Sequence, residues 1–551
     1  MRFVLLAAAV ACASRGPSPA PTTADVLVVG KIHTLDPANP TVETVLLRDG
    51  KLACAGSRET CSRNAVAPKI VDLGGGSAIP GLTDAHGHIA GYGRTLLDVS
   101  CLGLRGETEC VDRVVERART TPKGRWIRGR GWDQNRWPGA KFPNEKLLSE
   151  RVPDHPVVLE RVDGHAEWVN AKALEISGIS AETRDPSGGK IERYADGRPS
   201  GILIDNATSL VDEKEPPLDD EEIEAALLAA MRNLVAVGVT NVHDPGVGPR
   251  TLEVMRKLAL EDRLPIRVYA MLDGQQPMKD LASQMAVWKE RPEVGRLTVR
   301  AVKLYADGAM GSRGAAMFEP YSDDPGNTGL FVTSPDELRR RVLAVARAGY
   351  QPAVHAIGDR ACESTLRAFS DPALLPLRPR VEHLQVLLAR DVPILKASGA
   401  IASMQPTHAT SDGPWAEARL GRGTARQKGA YAWRQVLDAG VPLACGSDFP
   451  VEDIDPLKGL YSAETRKGPG LEDGWMPEQR MTRIEAVTCF TAGAAYAEFA
   501  EERRGMLRVG MDADLTAFDR DVMAVPAEEL TKLRVTHTFV GGRDELTASL
   551  H

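Results

Sequence analysis

The chain has 551 residues, 43% hydrophobic and 26% charged, values of a soluble globular protein too long for one ordinary domain. A formal net charge of −7 without a long basic run argues against nucleic acid or an anionic membrane as the main partner. Only the extreme N-terminus is apolar enough to meet a bilayer, and it is too short for an ordinary spanning helix.

That N-terminus, Met1 to Cys12, has one basic residue, a short apolar run and small residues before a cysteine. It resembles a bacterial lipoprotein signal peptide, with Cys12 as the lipidated first residue after cleavage. The alternative is an uncleaved or misplaced start. Ala13 to Ala24, rich in Ser, Pro and Thr, reads as a flexible tether. Next come short strands at Asp25 to Val29, Val42 to Leu47 and Lys51 to Ala55. The last two are joined by an Arg48-Asp49-Gly50 hairpin turn. Gly505 to Asp519 and Val535 to Val540 read similarly, so β-rich material occupies both chain ends.

The middle alternates strands with helices. Eight candidate strands are Ala78 to Asp84, Val239 to His243, Ile266 to Leu272, Val299 to Tyr305, Gln351 to His355, Arg378 to His383, Ala400 to Gln405 and Val441 to Ser447. Helical patterns such as Asp220 to Val237 and Pro335 to Ala348 fall between them, which predicts an α/β fold, a (β/α)8 TIM-type barrel. The interval from Leu96 to Leu218 is too long for a loop and reads as an inserted subdomain after the first barrel strand. It carries its own strand-like runs, Arg125 to Gly131 and Pro156 to Val162. The expected layout is 1–24 signal peptide and tether, 25–78 first β part, 79–500 barrel with an insertion at about 96–218, and 501–551 second β part.

Among eight cysteines, Cys54 with Cys61 and Cys101 with Cys110 are close enough in sequence for two local disulfides in an oxidising compartment. Cys362, Cys445 and Cys489 read as core thiols.

The chemistry gathers at the strand C-termini, where barrels place their sites. The first strand ends in His86-Gly87-His88, two imidazoles on one strand face and a natural pair of metal ligands. The fourth carries Lys303, the fifth His355, the sixth His383, and Asp448 follows the eighth. Each alone is more often structural; four histidines, a lysine and an aspartate on one barrel face are hard to explain as packing. A lysine held among metal ions loses its proton and can take up carbon dioxide as a bridging carbamate. A salt bridge from Lys303 to a carboxylate such as Asp307 competes with that reading.

The order His-x-His, Lys, His, His, Asp resembles the amidohydrolase superfamily, metal-dependent hydrolases on a (β/α)8 barrel. Gly131-Trp132-Asp133, Val162 to His165 followed by Asn170, Asp307-Gly308-Ala309, His355 to Asp359, Gln405-Pro406 and Gly446 to Pro450 resemble its branch containing N-substituted formamide deformylases. The resemblance covers nearly everything from Asp25 to Gly541.

It implies two divalent metal ions, zinc being the expected identity. His86, His88 and Asp448 would hold one, His355 and His383 the other, and carboxylated Lys303 would bridge them. A hydroxide between the metals would be the nucleophile, and Asp448 would move its proton to the leaving nitrogen. It also implies that the β-rich ends join in a small β-sandwich. His165, from the insertion, reads either as a catalytic contact to the substrate carbonyl or as a residue shaping the insertion. Trp132, Arg313 and Gln405 are substrate-binding candidates, Arg313 either for a substrate carboxylate or merely for an acidic neighbour.

The expected activity is hydrolysis of a non-peptide C–N bond in a small amide, formamide or cyclic amide. A mononuclear deaminase or an ester or lactone hydrolase is the alternative, and a non-catalytic surface lipoprotein the rival from another class. The expected location is exported, periplasmic or anchored to the membrane through Cys12, and cytoplasmic otherwise. Oligomeric state is left open, a homo-oligomer included.

Overall fold

A computed structural model describes residues 24–162, 165–186 and 189–548. Cys12 and the tether up to Thr23 lie outside them.

Eight parallel strands form the central sheet in chain order: Leu82–Asp84, Val239–Val247, Arg267–Asp273, Leu297–Tyr305, Gln351–Ala356, Arg380–His383, Ile401–Met404 and Leu443–Cys445. Their near-continuous burial on both faces is what a helix-covered parallel sheet demands. The first and last strands meet without a regular ladder. Ala85 N–H donates to Cys445 O at 2.9 Å, which brings the barrel nearly to closure. The helices are fixed by their N-termini: Asp219 and Glu222 make a capping box for Asp220–Ala236, and Ser334 with Pro335 starts Pro335–Arg347.

The two chain ends share one seven-stranded sheet. Four strands, Val26–His33, Thr41–Arg48, Lys51–Gly56 and Lys69–Pro80, come from the N-terminal side. Leu515–Phe518, Val535–Val540 and Arg543–Asp544 come from the other end. The expected two-layer sandwich takes the form of this single hydrogen-bonded sheet. The reason is the twelve-residue strand Lys69–Pro80, which pairs with Val26–His33 and also, through Ser77 to Pro80, with Leu515–Phe518. At the hairpin turn Asp49 and Gly50 both take positive φ, 47° and 76°, the conformation a tight primed turn requires. Between Gly505 and Asp519 only Leu515–Phe518 is extended strand.

Between the first two barrel strands, six strands form a separate sheet, in spatial order Gly189–Arg193, Pro199–Asp205, Ala166–Val169, Val157–Arg161, Ile127–Trp132 and Val99–Ser100. It has its own apolar core, which includes Trp132, Trp137 and Trp168.

The cysteine pairing differs from expectation. Cys54–Cys61 is bonded, but Cys101 and Cys110 are free buried thiols in the insertion core. Cys445, expected free, is bonded to Cys489, because the eighth strand and the helix Arg483–Cys489 end side by side, with Cα atoms 5.2 Å apart. The two residues are 44 apart in sequence, so local spacing carries no sign of the link.

Candidate metal centre

The first and eighth strand ends mesh to build one side of the site. Asp448 N–H donates to His86 O at 2.6 Å and His88 N–H to Phe449 O at 2.8 Å. A Cβ on Gly87 would lie 2.1 Å from the Phe449 ring, so only glycine fits between the two histidines. Asp84 staples the seam: it accepts from His86 N, Ser447 N and Ser447 Oγ, the last at 2.6 Å. Burial pushes its carboxyl up to about 6.

Around this seam lies a cavity of about 300 Å³ whose walls include His86, His88, Lys303, His355, His383 and Asp448. The six side chains proposed as ligands therefore share one space. Single donor atoms of His86, His383 and Asp448 lie within 4.8 Å of one another. Asp448 Oδ1 is 3.2 Å from His88 Nε2 and 3.6 Å from His86 Nε2. Lys303 Nζ is 3.2 Å from His86 Nε2. His383 and Asp448 both sit in left-handed backbone, φ 72° and 63°. Residues other than glycine rarely adopt it, and it tends to persist where a site holds it in place.

The outer partners leave one imidazole nitrogen of each inner histidine facing the cavity. Glu382 meets His86 Nδ1 at 2.5 Å, itself locked by buried Arg380 at 2.7 Å. Gln405 Oε1 faces His383 Nδ1 at 2.9 Å. Such outer contacts orient metal-binding histidines and set their tautomer. Burial, with Lys303 nearby, lowers His86 to about 4 and His355 to about 3, so both imidazoles are neutral, the form that ligates metals. Burial also lowers Lys303 to about 8. Burial alone would raise Asp448, but the hydrogen bond with His88, helped by the other imidazoles around it, holds it well below the usual carboxylate range.

Lys303 does not have Asp307 as its partner. Asp307 accepts from the backbone N–H groups of Ala316, Ile357 and Gly358 and pins two loops together. The remaining sequence candidates are dispersed. Trp132 is fully buried in the insertion core, its Nε1–H donating to Leu159 O at 2.6 Å, so it is a packing residue. Arg313 is paired with Asp323 at 2.9 Å and does not line the cavity. Gln405 positions His383 from behind. His165 is 74% exposed, faces Asp205 at 3.0 Å and is not among the lining residues. Among the described residues, none that lines the cavity comes from the insertion.

Sequence reasoning passed over His408, Asp412, Trp415 and Glu452, which line the same cavity. The first three follow Gln405-Pro406, and Pro at the first helical position was a readable helix start. What it did not show is which face of that helix turns inward. Glu382 and Arg380 were hidden in a strand read only for its histidine.

A parallel eight-strand barrel whose strand ends gather four histidines, a buried lysine and a carboxylate around one cavity has the architecture of a barrel metalloenzyme. The model of the amidohydrolase family matches residues 69–543, and the chain belongs to that family. It is 31% identical over 526 residues to YtcJ of Bacillus subtilis (strain 168), covering 93% of this chain and 98% of that one. It is 27% identical over 552 residues to the N-substituted formamide deformylase of Arthrobacter pascens, covering 95% and 99%. Among solved structures, an uncharacterized metal-dependent hydrolase from Pyrococcus furiosus superposes with a TM-score of 0.77 at 27% identity, over 91% of this chain and all of that one.

Proposed function

We propose that the protein is a metal-dependent hydrolase that cuts a non-peptide C–N bond in a small amide, formamide or cyclic amide. The observation that carries this is the convergence of His86, His383 and Asp448 donor atoms within 4.8 Å, with His88, His355 and Lys303 on the same wall. The similarity to a formamide deformylase and to a metal-dependent hydrolase supports it.

The donor set fits divalent metal. The inner imidazoles are neutral, their outer nitrogens are taken, and an ionised carboxylate faces them. His86, His88 and Asp448 would hold one ion, His355 and His383 another, with carboxylated Lys303 between. Zinc is the proposed identity. When bound, such ions lower the pKa of a water to near neutrality and polarise a carbonyl. Asp448 accepts the attacking water's proton at a carboxylate oxygen and delivers it to the leaving nitrogen. The loops after the fourth and eighth strands contribute Met310, Gly311, Val451 and Glu452 to the cavity wall.

The three-residue donor cluster is also what a mononuclear site would present, so a deaminase-like reading has a specific observation behind it. Metal analysis separates the two. About two ions per chain, a carbon dioxide unit on Lys303 and hydrolysis of an N-formyl, N-acyl or cyclic amide that stops on chelation are expected. One ion beside an unmodified Lys303 supports the mononuclear reading, and no bound metal sinks both.

We also propose export through Cys12, motivated by the apolar run before it. Cys12→Ala should release the protein from the membrane fraction of a Gram-negative host. A soluble product with intact Met1 from the unaltered gene would refute this.

A further inference from the structure

Beside the six candidate ligands, the cavity wall has a charge pattern that hydrolysis itself does not need. His408, Asp412 and Trp415 follow one another at four- and three-residue spacing on the helix Pro406–Leu420, so they share a face, and that face lines the cavity. Glu452, from the loop after the eighth strand, lines it beside them. His408 is only 5% exposed, and its Nε2 has no hydrogen-bond partner. It points into the cavity 3.8 Å from Asp448 Oδ2. Asp412 takes the Tyr431 hydroxyl at 2.5 Å, and Glu452 takes the Ser411 hydroxyl. Among the described residues their hydrogen-bond partners are hydroxyls, and the basic group that acts on both electrostatically is His408, with no Lys or Arg paired to either. Nearby cations are committed elsewhere: Arg313 and Arg419 both pair with Asp323, although Arg419 also lies over Trp415.

Two half-buried carboxylates with no Lys or Arg partner are costly for a wall that only encloses a neutral substrate. A cationic nitrogen removes the cost, since charge-assisted hydrogen bonds to carboxylates are strong and an aromatic face attracts cations. We propose that this wall receives an ammonium or guanidinium group of the substrate, at the end away from the bond that is cut. Asp412 and Glu452 pair with its charge, Trp415 offers its ring, and His408 Nε2 hydrogen-bonds to the body between charge and carbonyl. In naming a substrate this rests on the hydrolase reading; the binding wall itself does not need turnover. Of the two readings of Arg313, a substrate carboxylate or an acidic neighbour, the pairing with Asp323 matches the second.

The test uses benzylguanidinium and benzylurea, close in shape and one charge apart, titrated calorimetrically into the metal-analysed protein. The cation should bind about tenfold or more tightly than the urea, with the gap shrinking in salt. In the Asp412→Asn/Glu452→Gln variant the preference should fall to within about twofold, because amides keep the hydroxyl contacts but not the charge. Unchanged metal content and melting temperature establish that this variant is folded, and Glu452→Gln alone should remove part of the preference. Equal affinity, no binding of the cation, or a preference that survives the double substitution overturns the proposal. Failure of the hydrolase reading appears separately, as absent metal or an inert amide panel.

Discussion

At the barrel mouth, His86, Lys303, Glu382 and His383 are all buried within a few ångströms of one another, and two of the residues around them take left-handed backbone. In the inserted sheet, a core of similar depth is filled by Trp132, Trp137 and Trp168 with their aliphatic neighbours, the rings edge to face or tilted at 6.2 to 6.5 Å. The second arrangement is what burial favours on its own. The first costs free energy at every position unless something binds there. Conspicuous sequence motifs occur in both regions, and burial chemistry tells them apart: Trp132 is as prominent in the sequence as His86, yet it serves packing.

The sharpest test of that contrast is Lys303→Ala. It should lower kcat/KM on the order of 1000-fold or more, while far-ultraviolet circular dichroism stays native. Small carboxylic acids such as acetate should restore part of the loss, and Lys303→Arg should not be rescued. Near-normal activity in the alanine variant would mean that the mouth's buried cation is structural after all.

The opposite behaviour is expected of Trp132→Ala. It should destabilise the protein by about 3–5 kcal/mol in denaturant unfolding, through the cavity it leaves and the lost Nε1–H bond to Leu159 O. Turnover per folded molecule should hold. A large loss of kcat without loss of stability would return Trp132 to the active site.

Gln405→Leu should fall between them. It frees His383 Nδ1, so metal affinity measured by competition with a chelator should drop about 10- to 100-fold, with KM for the substrate little changed. A KM effect at full metal occupancy would instead restore Gln405 as a substrate contact.

The mildest effect concerns Glu167, buried in the insertion with one carboxylate oxygen unpartnered. Burial, then the charges of Asp212 and Glu160, pushes it from 4.5 to about 8. A raised acid pKa means the folded state holds the proton more tightly than the unfolded one. Its contribution is therefore present at low pH and is lost as pH rises from 4.5 to about 8. Glu167→Gln should leave the melting temperature near pH 5 almost unchanged and raise it at pH 9. An equal change at both values would refute the assignment.

The barrel strands were legible because they are apolar runs of strand length with helix signals between them, and each ligand candidate stood at a run's end. The donor set was legible for the same reason. His408 and Asp412 were not, since a helix with little hydrophobic asymmetry gives no sign of which side faces a cavity, and Glu452 sits in a loop whose path the sequence does not give. The Cys445–Cys489 link was hidden because it depends on where a strand and a helix end in space. Trp132 lies in the insertion core and Arg313 pairs with an acidic neighbour, since a motif marks a residue as unusual without saying whether it packs, pairs or binds.

The Asp84 staple couples residues 363 positions apart, and the same two strands carry His86, His88 and Asp448. A chain emerging from the ribosome thus displays its histidine pair long before the carboxylate that completes it exists. Most of the barrel must be synthesised before the seam can join. The reactive centre is therefore among the last parts of the molecule to assemble. A truncated or stalled chain ending before Ser447 has neither the seam nor Asp448, so the cavity is completed only once translation has passed the eighth strand.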